Sequence, residues 1–265
     1  MTLSVHLPKH PRHTMTEQMF AQYLAGLIDA DGHFSKIPQC IICFHITDKS
    51  LAFFIKSRIG YGTVTEIKNK RACKYVCAHT KGVAYIGQLV QPYLNHPSKQ
   101  NQLKTRVLTL CPEPQKATLV SSFQRNEREK YTQPFPAAPL CASHWFAGFV
   151  EGDGSFQMKA SRDIRVMLQI DQKDRVLLDV IKQTFGGYVG FRKSTQTFYY
   201  SSTSFERAFA LVKYFDRFMV IGRKRLDYVY WRKCVVLISQ KRHLTQEGFE
   251  QIVAFKAKLK MLRER

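Results

Sequence analysis

No apolar run in the sequence approaches the length of a membrane-spanning helix, and no strongly basic amphipathic helix stands out, so no membrane partner is expected. Low-complexity tracts are missing as well. With 45% hydrophobic and 23% charged residues, the 265-residue chain reads as an ordinary folded protein, long enough for one large domain or two of usual size. No secretory pattern opens it, and its seven Cys are odd in number, which fits free thiols in a reducing compartment better than a disulfide framework. Acidic residues are scarce: 20 Asp and Glu stand against 41 Lys and Arg, a net charge of +21. A field of that sign gathers polyanions, and nucleic acid is the first partner it implies.

The cysteines do not rescue a metal-finger reading. Cys40-x-x-Cys43 followed by Cys73-x-x-x-Cys77 has zinc-like spacing. Yet Cys40 and Cys43 lie in the β-like run Cys-Ile-Ile-Cys-Phe-His-Ile, where residues three apart point to opposite sheet faces, so one ion could not bind both without a bulge.

What the chain does have is a second copy of itself. Tyr23-Leu-Ala-Gly-Leu-Ile-Asp-Ala-Asp-Gly-His-Phe34 is matched by Trp145-Phe-Ala-Gly-Phe-Val-Glu-Gly-Asp-Gly-Ser-Phe156, at an offset of 153 − 31 = 122 residues. Behind each copy come a β-like stretch, a helix-like stretch, a glycine turn, a β-like hairpin and further helices. Val166, Leu168 and Ile170 alternate with Arg165, Met167, Gln169 and Asp171, the period of a half-buried strand; Ile42, Phe44 and Ile46 repeat it at an offset of 124, which makes the preceding turn two residues longer in the second copy. Leu51 to Ile59 and Val176 to Phe185 read as helices that stop at Gly60 and Gly186. The organisation expected is an N-terminal arm over 1–17, a first repeat over 18–110, a proline-rich and charged linker over 111–142, and a second repeat over 143–265.

Within each motif, small residues four apart, Gly26 and Ala30 or Gly148 and Gly152, line one helix face, which permits a closer helix approach than the ordinary 8 to 10 Å. Paired around a pseudo-two-fold axis, two such helices would bring Asp31 and Asp153 together at their C-terminal ends. Carboxylates there meet both the unfavourable end of the helix dipole and each other, an arrangement that a bound cation relieves. Oxygen donors and incomplete protein coordination suit Mg²⁺, with Mn²⁺ or Ca²⁺ able to use the same places, and a metal-bound water points to phosphodiester hydrolysis. The competing reading of either Asp-Gly alone is a turn cap. Asp29 and Glu151, two residues earlier, are expected to be structural.

Leu-Ala-Gly-Leu-Ile-Asp-Ala-Asp-Gly at 24–32 is the motif that names the LAGLIDADG homing endonucleases, and Phe-Ala-Gly-Phe-Val-Glu-Gly-Asp-Gly at 146–154 is a variant of it; from about residue 18 onward the chain resembles the single-chain, two-repeat members encoded in organellar introns. The resemblance implies an α+β fold of two αββαββα units, each with a four-stranded antiparallel sheet, the sheets forming a saddle on duplex DNA. It implies a monomer that cleaves a long non-palindromic site with divalent metal, leaves short 3′ overhangs, and resides in a mitochondrion or chloroplast. Asp31 and Asp153, with the backbone at Ala30 and Gly152, would hold the metal. A polar residue at the end of the second strand falls on Asp48 and Gln172, and a basic residue before a later helix on Lys99 and Lys224, phosphate contact being the alternative for both lysines. With Asp31 beside Asp48 and Asp153 beside Gln172, the two strands are expected to be cut at unequal rates.

Outward-facing sheet residues are the candidate readers, because a β-ribbon fits the major groove and side chains at period two meet successive base edges. They are His33, Ser35, Gln39, His45, Lys68, Lys70, Arg71 and Lys74 in the first repeat, and Ser155, Gln157, Lys159, Arg165, Gln169, Arg192, Lys193, Gln196 and Ser202 in the second. Any one of them could instead meet only phosphate. The sets differ, so the site is non-palindromic and spans about 20 base pairs. The alternative functions are an intron maturase, binding intron RNA on the same fold, and a DNA-binding regulator without catalysis.

Overall fold

Each repeat opens on a helix that is apolar nearly all round, and such a helix has to be enclosed by the rest of the chain. The computed structural model describes residues 3–4, 6–7, 15–109, 139–160 and 163–264. Two compact units result, one of Glu17–Trp145 and one of Phe146–Arg265 together with the residues before Glu17. The linker expected over 111–142 lies outside the described residues as far as 138, as does most of the arm expected over 1–17.

In the first unit, α1 (Glu17–Asp31) is buried without a break from Phe20 to Asp29. It turns directly into β1 (Gly32–Phe34), followed by β2 (Cys40–His45), a 3-10 turn at Ile46–Asp48, α2 (Lys49–Ile59), β3 (Thr63–Glu66), β4 (Ala72–Cys77), α3 (Thr80–Val90) and α4 (Pro97–Leu103). The sheet is antiparallel, in the order β1-β2-β4-β3. Its inner face carries Ile42, Phe44, Cys73 and Tyr75, all buried, and α2 ends on Gly60 in the left-handed conformation, φ 78°, where a side chain would be strained. Cys40 is buried and Cys43 exposed, on the opposite faces that the alternation requires.

The second unit runs α5 (Trp145–Asp153), whose first residue Trp145 belongs to the first unit, then β5 (Gly154–Ala160), β6 (Ile164–Gln172), α6 (Val176–Phe185), β7 (Tyr188–Arg192), β8 (Thr197–Ser201), α7 (Phe205–Arg217), α8 (Lys224–Ser239) and α9 (Gln246–Glu264). Its sheet has the same antiparallel plan, β5-β6-β8-β7. Under it Phe156 meets Phe215 edge-on at 5.3 Å and Trp231 at 5.4 Å. Arg232, 2% exposed, is held by both oxygens of Asp216 at 2.7 and 2.8 Å and donates to the Ser4 carbonyl at 2.9 Å, so its buried charge is paired and hydrogen-bonded as burial demands. The expected α+β plan of two repeats with four-stranded antiparallel sheets is thus what the chain adopts.

The strand registers correct one alignment. Gly32 pairs with Ile42, and Gly154 with Ile170, so the second strands correspond at an offset of 170 − 42 = 128. The first hairpin is therefore six residues longer in the second repeat rather than two, since the motif offset is 122 and 128 − 122 = 6. A slip by an even number of residues leaves every side chain on its own face, so alternation cannot distinguish 124 from 128. Only the pairing does.

Candidate active site

Asp153 is the last residue of α5, and its place is set by the corner that follows. A Cβ on Gly154 would stand 2.5 Å from Val150 Cγ1 and 2.8 Å from the Val150 carbonyl, so only glycine lets the helix pass straight into β5. Gln172 ends β6 and donates from Nε2 to Asp153 Oδ2. Lys224 opens α8, and its Nζ donates to the Gly152 carbonyl and, at 3.2 Å, to that of Val150. Asp153, Gln172 and Lys224 are all half-buried, and the three residues expected from sequence come together in this unit.

The first unit repeats the corner but not the whole constellation. Asp31 ends α1 and is exposed, and a Cβ on Gly32 would stand 2.7 Å from the Ile28 Cα. Lys99, on α4, donates from Nζ to the Gly32 carbonyl at 2.6 Å, one residue after the Asp, whereas Lys224 grips the residue before it. Asp48, however, does not stand where Gln172 does. With strands related by 128, the counterpart of Gln172 is Phe44, which is buried on the inner face of β2. Asp48 lies four residues further on, beyond the strand, at the N-cap of α2; burial, and after it the Asp48 charge, raises the Cys73 thiol. The assignment of Asp48 to the strand-end role is therefore corrected, for the same even-slip reason.

Asp29 and Glu151 position these lysines from within. Asp29, 1% exposed, accepts the backbone N–H of Asn95 at 2.7 Å, at the turn feeding α4, and the Trp145 Nε1–H at 2.8 Å. Glu151 accepts the N–H groups of Ile221 and Gly222, both at 2.9 Å, at the turn feeding α8. Each buried carboxylate thus anchors the segment from which a site lysine projects. Burial pushes the Asp29 carboxyl up from 3.8 to about 6, against the pull of those two hydrogen bonds. A carboxyl raised in the folded state holds its proton more tightly there, so its contribution favours folding below about pH 4 and is lost as pH rises to about 6. Asp29→Asn is expected to remove this component. In urea unfolding, the midpoint of the variant relative to wild type should climb between pH 4 and 6 and then level off; a flat difference would contradict the assignment.

His33, on the outer face of β1, is held below its ordinary pKa by partial burial and then by the charges of Lys99 and Arg106. Ser35 and Gln39 close the β1–β2 turn, where Ser35 N–H meets the Gln39 carbonyl at 3.0 Å. His45 Nδ1 lies 2.7 Å from Thr47 Oγ1 and caps the 3-10 turn. Lys68, Lys70 and Arg71 are exposed around the β3–β4 turn, and Lys74 is half-buried on the outer face of β4. In the second unit Ser155, Gln157 and Lys159 point outward from β5. Arg165 stands 3.6 Å from Asp163. Gln196 donates to the Lys193 carbonyl at 2.8 Å within the β7–β8 turn. Ser202 is a further correction. It shares the inner face with Tyr200, is fully buried, and accepts the Leu168 N–H at 2.9 Å, so it cannot reach a groove. Asp171, which alternation already turns outward, and Tyr188 and Tyr199 also stand on the outer face of this sheet, outside the set of candidate readers. Period two places all three there, while the tyrosines carry no base-reading signal of their own.

Among the described residues, no three His, Cys, Asp or Glu side chains gather into a metal cluster. The oxygen donors that suit a divalent ion are those at the two helix ends: the Asp31 and Asp153 carboxylates and neighbouring backbone carbonyls. The carbonyl of Gly152 already receives an ammonium, a cation on an oxygen expected to serve a metal. Hard, sparse donors of this kind fit an ion that keeps its waters and takes further ligands from phosphate.

Comparison with known proteins points the same way. The family model for LAGLIDADG endonuclease matches residues 146–235. The "Uncharacterized cox1 intron-2 37.2 kDa protein" of Schizosaccharomyces pombe is 39% identical over 255 residues, covering 94% of this chain and 75% of that protein. Among solved structures, the I-LtrWI LAGLIDADG homing endonuclease bound to target DNA superposes with a TM-score of 0.68 at 19% identity, over 92% of this chain and 98% of that one. The I-SmaMI LAGLIDADG homing endonuclease bound to cleaved DNA gives 0.65 at 22%, over 89% and 95%. At such identities the structural likeness is one of fold.

Proposed function

The chain belongs to the LAGLIDADG endonuclease family, whose members are metal-dependent hydrolases, and from that premise we propose that it is a homing endonuclease cutting both strands of one long, non-palindromic duplex site. The observation that carries this reading is the Asp153–Gln172 bond beside Lys224, with Asp31 and Lys99 in the other unit, on a chain of net charge +21. A retained carboxylate at each motif end is what a nuclease requires and a passive binder does not.

Asp31 and Asp153 would hold divalent metal, Mg²⁺ in the cell, which when bound supplies a nucleophile at neutral pH and neutralises the leaving oxygen. The remaining work belongs to the chain. Gln172 fixes the Asp153 carboxylate and presents an amide where an attacking water is oriented. Lys224 and Lys99, each anchored on a backbone carbonyl, place positive charge beside a scissile phosphate as its negative charge grows. The outer faces of the two sheets read the bases, and their unlike side chains give a site without symmetry. Cleavage leaves short 3′ overhangs, the protein acts as a monomer, and its reading frame lies in an organellar intron.

The test is direct. Purified protein with Mg²⁺ should linearise a plasmid carrying the joined exon sequence that lacks the intron, with ends mapping to one position and no product in EDTA. An intact plasmid under these conditions, with the intron RNA bound instead, would favour the maturase reading.

A further inference from the structure

On the outer face of the second sheet, three strands assemble one polar cluster around a missing side chain. Asp171 on β6 pairs with Tyr199 on β8, and Tyr199 with Gly190 on β7. A Cβ on Gly190 would stand 2.6 Å from the Tyr199 ring and 2.7 Å from the Tyr188 ring. Glycine therefore lets both tyrosines close over β7, their rings 6.1 Å apart. Arg192, two residues along the same face, lays its guanidinium 4.8 Å from the centre of the Tyr199 ring and brings Nη1 to 2.9 Å from Asp171 Oδ1. The other carboxylate oxygen of Asp171 accepts Gln169 Nε2 at 2.7 Å. Arg192 and Asp171 remain 39% and 40% exposed, so the cluster is built but faces solvent.

A guanidinium fixed on one side by a carboxylate and underneath by an aromatic face has lost most of its rotamer freedom before any ligand arrives. Asp171 faces one edge of it as an ion pair. The remaining donors keep the fork geometry that matches two adjacent acceptors in a plane, and among base edges in the major groove that pattern belongs to guanine, through O6 and N7. A phosphate contact needs no such fixing, because a mobile side chain tracks the backbone equally well.

We propose that Arg192 is the guanine reader of this half-site, with Asp171 and Tyr199 as its positioning residues, specifying one G·C pair in the DNA. The inference depends on the duplex-binding function proposed above. Its test is selection of a randomised duplex library by the full chain in Ca²⁺, which permits binding without hydrolysis, followed by measurement of affinity for all four pairs at each selected position.

Wild type should prefer guanine at one position by roughly ten- to a hundredfold. Arg192→Gln should abolish that preference alone. Asp171→Asn should weaken it several-fold while Arg192 stays in place, an effect that a role in folding would not confine to one base pair. If Arg192→Gln instead lowers affinity equally for all sequences and reduces the salt dependence by about one phosphate contact, Arg192 touches the backbone and the inference is overturned. Selection of no sequence by wild type would overturn the DNA-binding function itself, a different failure from an unchanged profile in a protein that binds specifically.

Discussion

Asp153→Asn is expected to slow cleavage by about a thousandfold or more while leaving binding of the target in Ca²⁺ within a few-fold of wild type. Asp31→Asn should do the same. The amide keeps the size of the side chain and one oxygen, but it loses the negative charge that holds a divalent ion. At 1.36 kcal/mol per tenfold, a thousandfold corresponds to about 4 kcal/mol, in the range that a metal contributes to stabilising charge in phosphoryl transfer. The corner glycines predict that neither change disturbs the fold, since the carboxylates stand at helix ends, exposed for Asp31 and half-exposed for Asp153. Unaltered melting temperatures would confirm it. Normal cleavage by either variant would remove that carboxylate from the chemistry.

The second large effect concerns the order of the two cuts. One unit offers an amide at the end of its second strand and the other offers Phe44, which has nothing with which to orient water. On a supercoiled target, wild type should therefore pass through a nicked intermediate in which one particular strand is cut first. Gln172→Ala should slow that strand by about a hundredfold, the lower end of what a positioned proton-transfer or water-orienting group contributes, and leave the other nearly untouched. Strand-resolved labels on a linear duplex measure both rates in one reaction. Equal wild-type rates, or a variant that slows both strands alike, would remove the basis for the asymmetry.

How much of this could be read from the sequence follows from which signals are local. The repeat, the helix that runs into a strand at Asp-Gly, and the inward faces of β2 and β6 were all legible, because composition and period carry them. Asp29 and Glu151 could be assigned structural roles from their offset to the motif aspartates, but not their partners, since Asn95, Trp145 and Ile221 lie far away in sequence. The Asp48 error has a definite origin. In the sequence only alternation marks the end of the second strand, and alternation is blind to a shift of four. Ser202 failed differently. Its inward facing is legible from Tyr200 two residues before, whereas its hydroxyl by itself suggests a base contact. The cluster of Asp171, Tyr199 and Arg192 needed three strands in register, information that no single stretch of sequence contains.

The contact between Arg232 and the carbonyl of Ser4 joins residues separated by 228 positions, with an entire unit encoded between them. In topological terms the first unit is an insertion into the second. A ribosome making this chain therefore finishes Glu17–Trp145 before α8 exists, and the Ser4 carbonyl has no Arg232 to meet until α8 has been made. Splitting the gene between the repeats, as one would to exchange halves with a relative, would give a second half in which Arg232 lacks the Ser4 carbonyl. A fusion that carries the leading residues onto the front of Phe146–Arg265 is the more faithful way to cut it.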